Sequence, residues 1–103
     1  MPIEILEEAL AEAAEAAAWY EKKCVGLGYD FFEAVEAAFD IIEDKILPLS
    51  PMPNSTGHKN LNRLILKRFP FDIVVLERPT ITIIIAVAHQ ARKPGYWRDR
   101  ITP

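Results

Sequence analysis

Ile81-Thr82-Ile83-Ile84-Ile85-Ala86-Val87-Ala88-His89 is the stretch whose reading decides the fold. Its residues from Ile81 to Ala88 carry no charge and are dense in β-branched side chains, and the run gives way to Gln90-Ala91-Arg92-Lys93-Pro94-Gly95. A segment of this kind reads as a strand buried on both faces, and therefore as the central strand of a sheet. Behind it His89, Arg92, Lys93, Tyr96, Trp97, Arg98 and Arg100 crowd into twelve residues. The strand thus delivers a basic, aromatic patch to one edge of the fold, the first place to expect a working surface.

Working outward, Leu61 to Phe69 and Phe71 to Arg78 read as two further strands parted by Pro70, with a turn near Arg78-Pro79-Thr80 before the central one. Connections this short allow only an antiparallel meander. In the first of these strands Leu64 and Leu66 share one face, while Arg63, Ile65 and Lys67 share the other, so one side can be buried and the other carries charge. Upstream, residues 48–60 hold Pro48, Pro51 and Pro53 with a Ser-Thr-Gly stretch, which predicts a long surface loop.

The amino-terminal half is helical in pattern. Leu6, Leu10, Ala13, Ala17, Tyr20 and Cys24 recur at spacings of three and four with glutamates between them, which predicts an amphipathic helix whose alanines permit close packing. Gly26-Leu27-Gly28 ends it. A second helix is expected from Tyr29 to Lys45, with Phe32, Val35, Phe39, Ile42 and Ile46 inward, and the two form an antiparallel hairpin. Pro2 to Ile5 can pair as an edge strand. The predicted class is α+β, a two-helix hairpin packed on a small antiparallel sheet in (β)ααβββ order, as a single domain over residues 1–103.

Composition narrows the function classes. The net charge of −3 hides an asymmetry: residues 1–44 hold twelve acids against two lysines, a balance of −10, and residues 45–103 hold ten Lys and Arg against three acids, a balance of +7. A +7 half suits an acidic partner, while the −10 half would repel phosphate at long range, which disfavours general RNA or DNA binding. No stretch reaches the roughly 20 apolar residues of a membrane span, and the acidic start lacks the basic region of a signal peptide, so no membrane association and a cytoplasmic location are expected. Cys24, the single cysteine, reads as a buried, inert thiol. His58 and His89 come without a cysteine or acid motif, so neither a metal site nor a cofactor is expected.

Arg63 with Phe69-Pro70-Phe71-x-Ile73, then Ala86-Val87-x-His89-x-x-Arg92-x-Pro94-x-Tyr96-Trp97-x-x-Arg100, resembles the carboxyl half of the ParE branch of the RelE/ParE superfamily of toxin–antitoxin toxins. Trp19-Tyr20 and Gly26-Leu27-Gly28-x-x-Phe31-Phe32 are similar to the helical region of the same family. The closing His-x-x-Arg-x-Pro-x-Tyr-Trp pattern is the most specific part. Tyrosines common on the family's middle strand are replaced here by Phe71, Val74 and Val75.

The resemblance implies a bacterial plasmid-stabilisation toxin of a type II system, neutralised by a cognate antitoxin. ParE-like members poison DNA gyrase by binding it; RelE-like members cut messenger RNA on the ribosome. Cutting RNA through its 2′-hydroxyl needs a base, donors for the phosphate's developing charge and an acid for the leaving oxygen. RelE-like nucleases place arginines at the opening of the middle strand and beyond the last, where this chain has Asp72 and Gln90. A carboxylate there repels the scissile phosphate. The leading expectation is therefore a gyrase inhibitor acting by protein binding. The alternatives are a ribosome-dependent endoribonuclease using Arg63, Lys67, Arg92 and Tyr96, or an inactive toxin fold kept for complex formation.

The expected partner-binding set is Arg63, Lys67, Arg68, His89, Arg92, Lys93, Tyr96, Trp97, Arg98 and Arg100. Each has a plainer reading beside the functional one. His89 is either a catalytic base or a structural histidine bonded to backbone or to Asp99. Arg92 and Arg100 either contact a partner or brace the carboxyl-terminal segment by stacking on Tyr96 and Trp97. Trp97 either anchors a partner or plugs the rim of the core, and Arg63, Lys67 and Arg68 either grip a partner or form a solvated edge.

Overall fold

The computed structural model describes residues 3–45, 49–51 and 60–101. In order these form β1 (Ile3–Ile5), α1 (Glu7–Lys23), α2 (Leu27–Asp44), β2 (Ser50–Pro51), β3 (Leu61–Ile65), β4 (Phe71–Glu77) and β5 (Thr82–His89), followed by a single 3-10 turn at Arg98–Arg100. The predicted α+β order is present, with β5 and β4 at the heart of a sheet ordered β1-β5-β4-β3-β2.

The meander β3-β4-β5 is antiparallel as expected, but the sheet as a whole is mixed, because β1 joins β5 in parallel with Ile3 beside Thr82 and Ile5 beside Ile84. Such a parallel pair requires a long crossover, which the helical hairpin and meander supply. Ser50–Pro51, expected within a loop, pairs instead with Asn62 and Arg63. The rest of that loop, residues 48 and 52–59 with His58, lies outside the described residues.

The helices cover one face of the sheet. Ala9, Ala13 and Ala17 of α1 and Phe31, Val35, Ala38 and Ile42 of α2 are buried with Ile73, Val75, Ile84 and Val87. Small residues line the crossing because the backbones approach closely: a Cβ placed on Gly28 would come within 2.5 Å of the Ala17 carbonyl oxygen. Ala13, Ala17, Val35 and Ile42 are buried as expected, but part of each inward face is displaced by one residue, with Ala9 in place of Leu10 and Ala38 in place of Phe39. Leu10 and Phe32 are exposed, Phe31 is buried in Phe32's place, and Cys24 lies exposed just beyond the last turn of α1, so the buried-thiol reading is wrong.

The opposite face is closed by the carboxyl-terminal segment. Trp97 is buried there with Leu61, Val74, Leu76, Ile85, Ala86 and Ala88, and Tyr96 and Ile101 pack against them. A bulge makes the two faces commensurate: Val74 pairs with Ala86 but Val75 with Ile84, so Ile85 is extra on β5. Two-residue alternation breaks at that point. Ile85 and Ala86 both join the outer cluster, and Val87 returns to the helix side.

Candidate functional site

β1 is three residues long, and its pairing with β5 stops at Ile84, where the Leu6 amide donates to the Ile84 carbonyl at 3.1 Å. Beyond that point the β5 edge has backbone groups and no strand to meet them, a costly state for buried polar groups. Two side chains take the strand's place. Glu12 Oε1 accepts from the Val87 amide at 3.0 Å, and Arg100 Nη1 donates to the Ile85 carbonyl at 3.1 Å.

Glu12 and Arg100 also hold each other. The guanidinium donates to both carboxylate oxygens, at 2.9 and 3.0 Å, in the two-pronged geometry that suits arginine. The Tyr96 hydroxyl donates to Glu12 Oε2, and Arg92 Nη1 lies 3.6 Å from the same oxygen. Arg92 sits over the Tyr96 ring at 3.7 Å and Arg100 over it at 5.3 Å. One carboxylate of α1 therefore fastens the whole closing motif to the sheet. Burial, and then the bond to Glu12, pushes the Tyr96 phenol well above its usual range.

The two positions that depart from the nuclease pattern meet at β4. Asp72, which is buried, accepts from Arg63 Nη1 at 3.1 Å and from Gln90 Nε2 at 3.0 Å. The two positions that differ from the nuclease pattern are thus bonded to each other, and Asp72 consumes part of Arg63's donor capacity. Arg63 Nε is left buried without an acceptor among the described residues. Arg63, Arg92, Lys93 and Tyr96 do converge on one hollow of about 120 Å³, with Asp72, Gln90 and Trp97 in its wall. Lys67 does not line it. The Tyr96 hydroxyl, committed to Glu12, is poorly placed to shuttle a proton.

A larger groove of about 530 Å³ opens on the other side of β5, between α1 and the ends of β4 and β5. Ala16, Trp19, Tyr20, Phe71 and Val87 give it apolar walls, and Glu15, His89 and Arg92 bring charge and hydrogen-bonding capacity to it. The tyrosine is held by aromatic neighbours, its ring centroid 5.0 Å from that of Phe69 and 5.3 Å from that of Phe31. His89 reaches the groove because the bulge returns the end of β5 to the helix side. Its ring lies 5.0 Å from that of Phe71, and its Nδ1 accepts from the Ala91 amide at 3.0 Å, the backbone bond expected of a structural histidine. With Nδ1 accepting, the neutral ring carries its proton on Nε2.

The expected partner set is therefore divided. Trp97 belongs to the core, and Arg100 is largely enclosed and paired, so both brace the fold. Tyr96 is half-buried in the same knot. Arg68 turns to the helices, pairing with Asp30 at 3.1 Å, while the guanidinium of Arg98 lies against Gly95. His89 and Arg92 line both hollows, Arg63 and Lys93 only the smaller, and Lys67 is exposed near the β3–β4 turn. Two residues escaped the sequence reading. Glu12 passed for one solvated glutamate among many, although it stands three residues after Ala9 and four before Ala16, on the inward strip. Trp19 stands out in the sequence only through the Trp-Tyr pair of the family resemblance. Among the described residues no three His, Cys, Asp or Glu side chains gather as metal ligands, and no helix is long and apolar enough to cross a membrane.

A helical hairpin packed on one face of a small sheet in (β)ααβββ order is the expected architecture, with the difference that the sheet is mixed. Among solved structures the chain is similar to one from the chromosomal ParDE TA system from P. aeruginosa, with a TM-score of 0.72 and 12% identity over 86% of this chain and 95% of that one. At that identity the likeness establishes the fold. No protein-family model matches the sequence, and no curated protein matches it.

Proposed function

We propose that this chain is the toxin of a two-component toxin–antitoxin pair and acts by gripping a protein target, DNA gyrase, without cutting nucleic acid. The observation that carries this reading is the bonded set Arg63, Asp72 and Gln90. A ribonuclease needs uncommitted cations facing the scissile phosphate, and here a buried carboxylate in the wall of the hollow takes up Arg63. The matching fold in a ParDE toxin–antitoxin system supports the class. The antitoxin contributes a segment that fills the groove between α1 and β5, its apolar side chains on Trp19, Tyr20 and Phe71 and an acceptor facing His89 and Arg92.

The test assays purified protein on gyrase supercoiling and, in parallel, on ribosome-bound messenger. Inhibited supercoiling with intact transcripts is the expected result. Transcript cleavage that disappears in Arg92→Ala, with gyrase untouched, would establish the endoribonuclease reading in its place. Expression without growth arrest would leave the inactive toxin fold.

A further inference from the structure

We propose that the groove and the smaller hollow form one track over the end of β5, and that the hollow is its acid-binding end, where Arg92 and Lys93 take a single Asp or Glu side chain of the antitoxin. This rests on the toxin reading above and adds to it the chemistry of a second contact. The groove lies on the helix side of the sheet, with Phe71 and Val87 in its wall, and the hollow on the outer side, with Val74, Ala88 and Trp97 in its wall. His89 and Arg92 line both. A segment that leaves the groove at this end of β5 therefore passes over them into the hollow.

Charge decides which end takes the acid. In the groove Glu12 and Glu15 stand against Arg92, so a further carboxylate would meet repulsion there. Around the hollow Arg63, Arg92 and Lys93 stand against Asp72, and beyond them Arg98 and Asp99 are of opposite sign. Asp72 already accepts from Arg63 and Gln90, and Glu12, 3.6 Å from Arg92, is itself held at both oxygens by Arg100. Lys93 has no acidic partner among the described residues, and Arg92 keeps 57% of its side chain exposed. The bond from the Ala91 amide to His89 Nδ1 leaves Nε2–H as a neutral donor at the crossing. Arg63 acts through its field, since Nη1 is taken by Asp72 and Nε is buried.

Size and stiffness suit one side chain. At about 120 Å³ the hollow falls well below the roughly 300–1,000 Å³ of a whole small-molecule site. Its cationic wall is braced: the Arg92 guanidinium lies 3.7 Å over the Tyr96 ring, and the amides of Arg92, Tyr96 and Arg98 donate to the carbonyls of His89, Lys93 and Gly95 at 3.0, 3.4 and 3.0 Å. These successive turns are anchored by the buried Trp97. Donors held in place in advance lose little freedom on binding. A nucleic acid would bring a phosphate at every residue toward a chain whose other half carries −10, whereas a single carboxylate needs only the two cations.

The test uses sodium acetate as the carboxylate probe on the purified full chain, with chloride holding the ionic strength constant. Melting temperature is followed for the wild type, Lys93→Gln and the pair Arg92→Gln, Lys93→Gln, with Lys67→Gln as the control, an exposed cation that lines neither cavity. Acetate should raise the wild-type and Lys67→Gln melting temperatures in a saturable way. The affinity read from that curve should fall about threefold in Lys93→Gln and at least about tenfold in the pair, and the co-expressed antitoxin should be held more weakly by the same variants. No acetate effect in the wild type, or an equal effect in all four proteins, overturns the inference and leaves the proposed function standing. Tight binding of a single-stranded RNA oligonucleotide that the pair abolishes would assign the hollow to a phosphate backbone and overturn it too. Antitoxin held equally by all four would remove it as the source of the acid. A wild type that binds acetate as expected but arrests no growth overturns the proposed function, and with it the antitoxin as that source.

Discussion

On the outer face of the sheet Trp97 is 4% exposed and Arg100 is locked to Glu12, whereas on the helical hairpin Trp19 is 56% exposed and Tyr29 and Phe32 stand in solvent. The aromatic residues of the basic half, Phe69, Phe71, Tyr96 and Trp97, close the fold, and Arg100 is fastened among them. The open aromatics belong to the acidic half. A dense Arg-Tyr-Trp motif at a strand's end is therefore not by itself a partner surface, since each such residue can also pay for a short strand or cover an apolar face. Here β1 ends early, and Glu12, Tyr96 and Arg100 finish the edge of β5 that it leaves bare.

The comparison breaks most sharply at the two tryptophans and at Glu12. Glu12→Ala removes the acceptor of a nearly enclosed guanidinium, a tyrosine hydroxyl and a backbone amide, and should cost about 3–5 kcal/mol in urea unfolding. Trp97→Ala should cost a similar ~3–5 kcal/mol by emptying the outer cluster, and Trp19→Ala no more than about 0.5 kcal/mol. Equal losses at the two tryptophans would erase the distinction between the regions.

A smaller effect is expected at the hairpin crossing. Gly28→Ala would press a methyl group toward the Ala17 carbonyl oxygen, against backbone that cannot rotate away, and should lower stability by about 1–3 kcal/mol. A variant as stable as the wild type would mean that the helices do not meet as closely as described.

The smallest effect is a pH dependence. The Tyr96 phenol is held above its ordinary value of 10.0 in the folded chain. Its contribution to stability is thus complete below pH 10, where the unfolded tyrosine is also protonated, and is lost as pH rises above 10.0 through the folded value. Urea midpoints should fall over that range, and Tyr96→Phe should flatten the decline. An unchanged slope would mean that the hydroxyl is not held as described.

Much of the architecture was legible because β5 is apolar along its length and bounded by charge, and because short connections leave the meander no other arrangement. The inward faces of the helices were less so. In α1 alanines surround the axis, so rotating the strip from Leu6, Leu10 and Ala13 to Ala9, Ala13 and Ala17 barely alters the pattern, and only close packing against Gly28 selects between them. In α2 the adjacent Phe31 and Phe32 each begin a valid helical strip. The bulge at Ile85 was invisible because an apolar run has no phase to lose, yet it is what sends His89 to the groove. Asp72 and Gln90 were legible as departures from a nuclease, whereas their bond through the sheet required the register of β4 against β5.

Acrylamide quenching of the Trp19→Phe protein, whose remaining tryptophan is Trp97, tests most directly whether the basic half's aromatics are structural. The account predicts blue-shifted emission that acrylamide barely quenches, in contrast to the wild type, where Trp19 adds a strongly quenched component. Red-shifted emission from Trp97, quenched as readily as free tryptophan, would return the closing motif to the surface and contradict it.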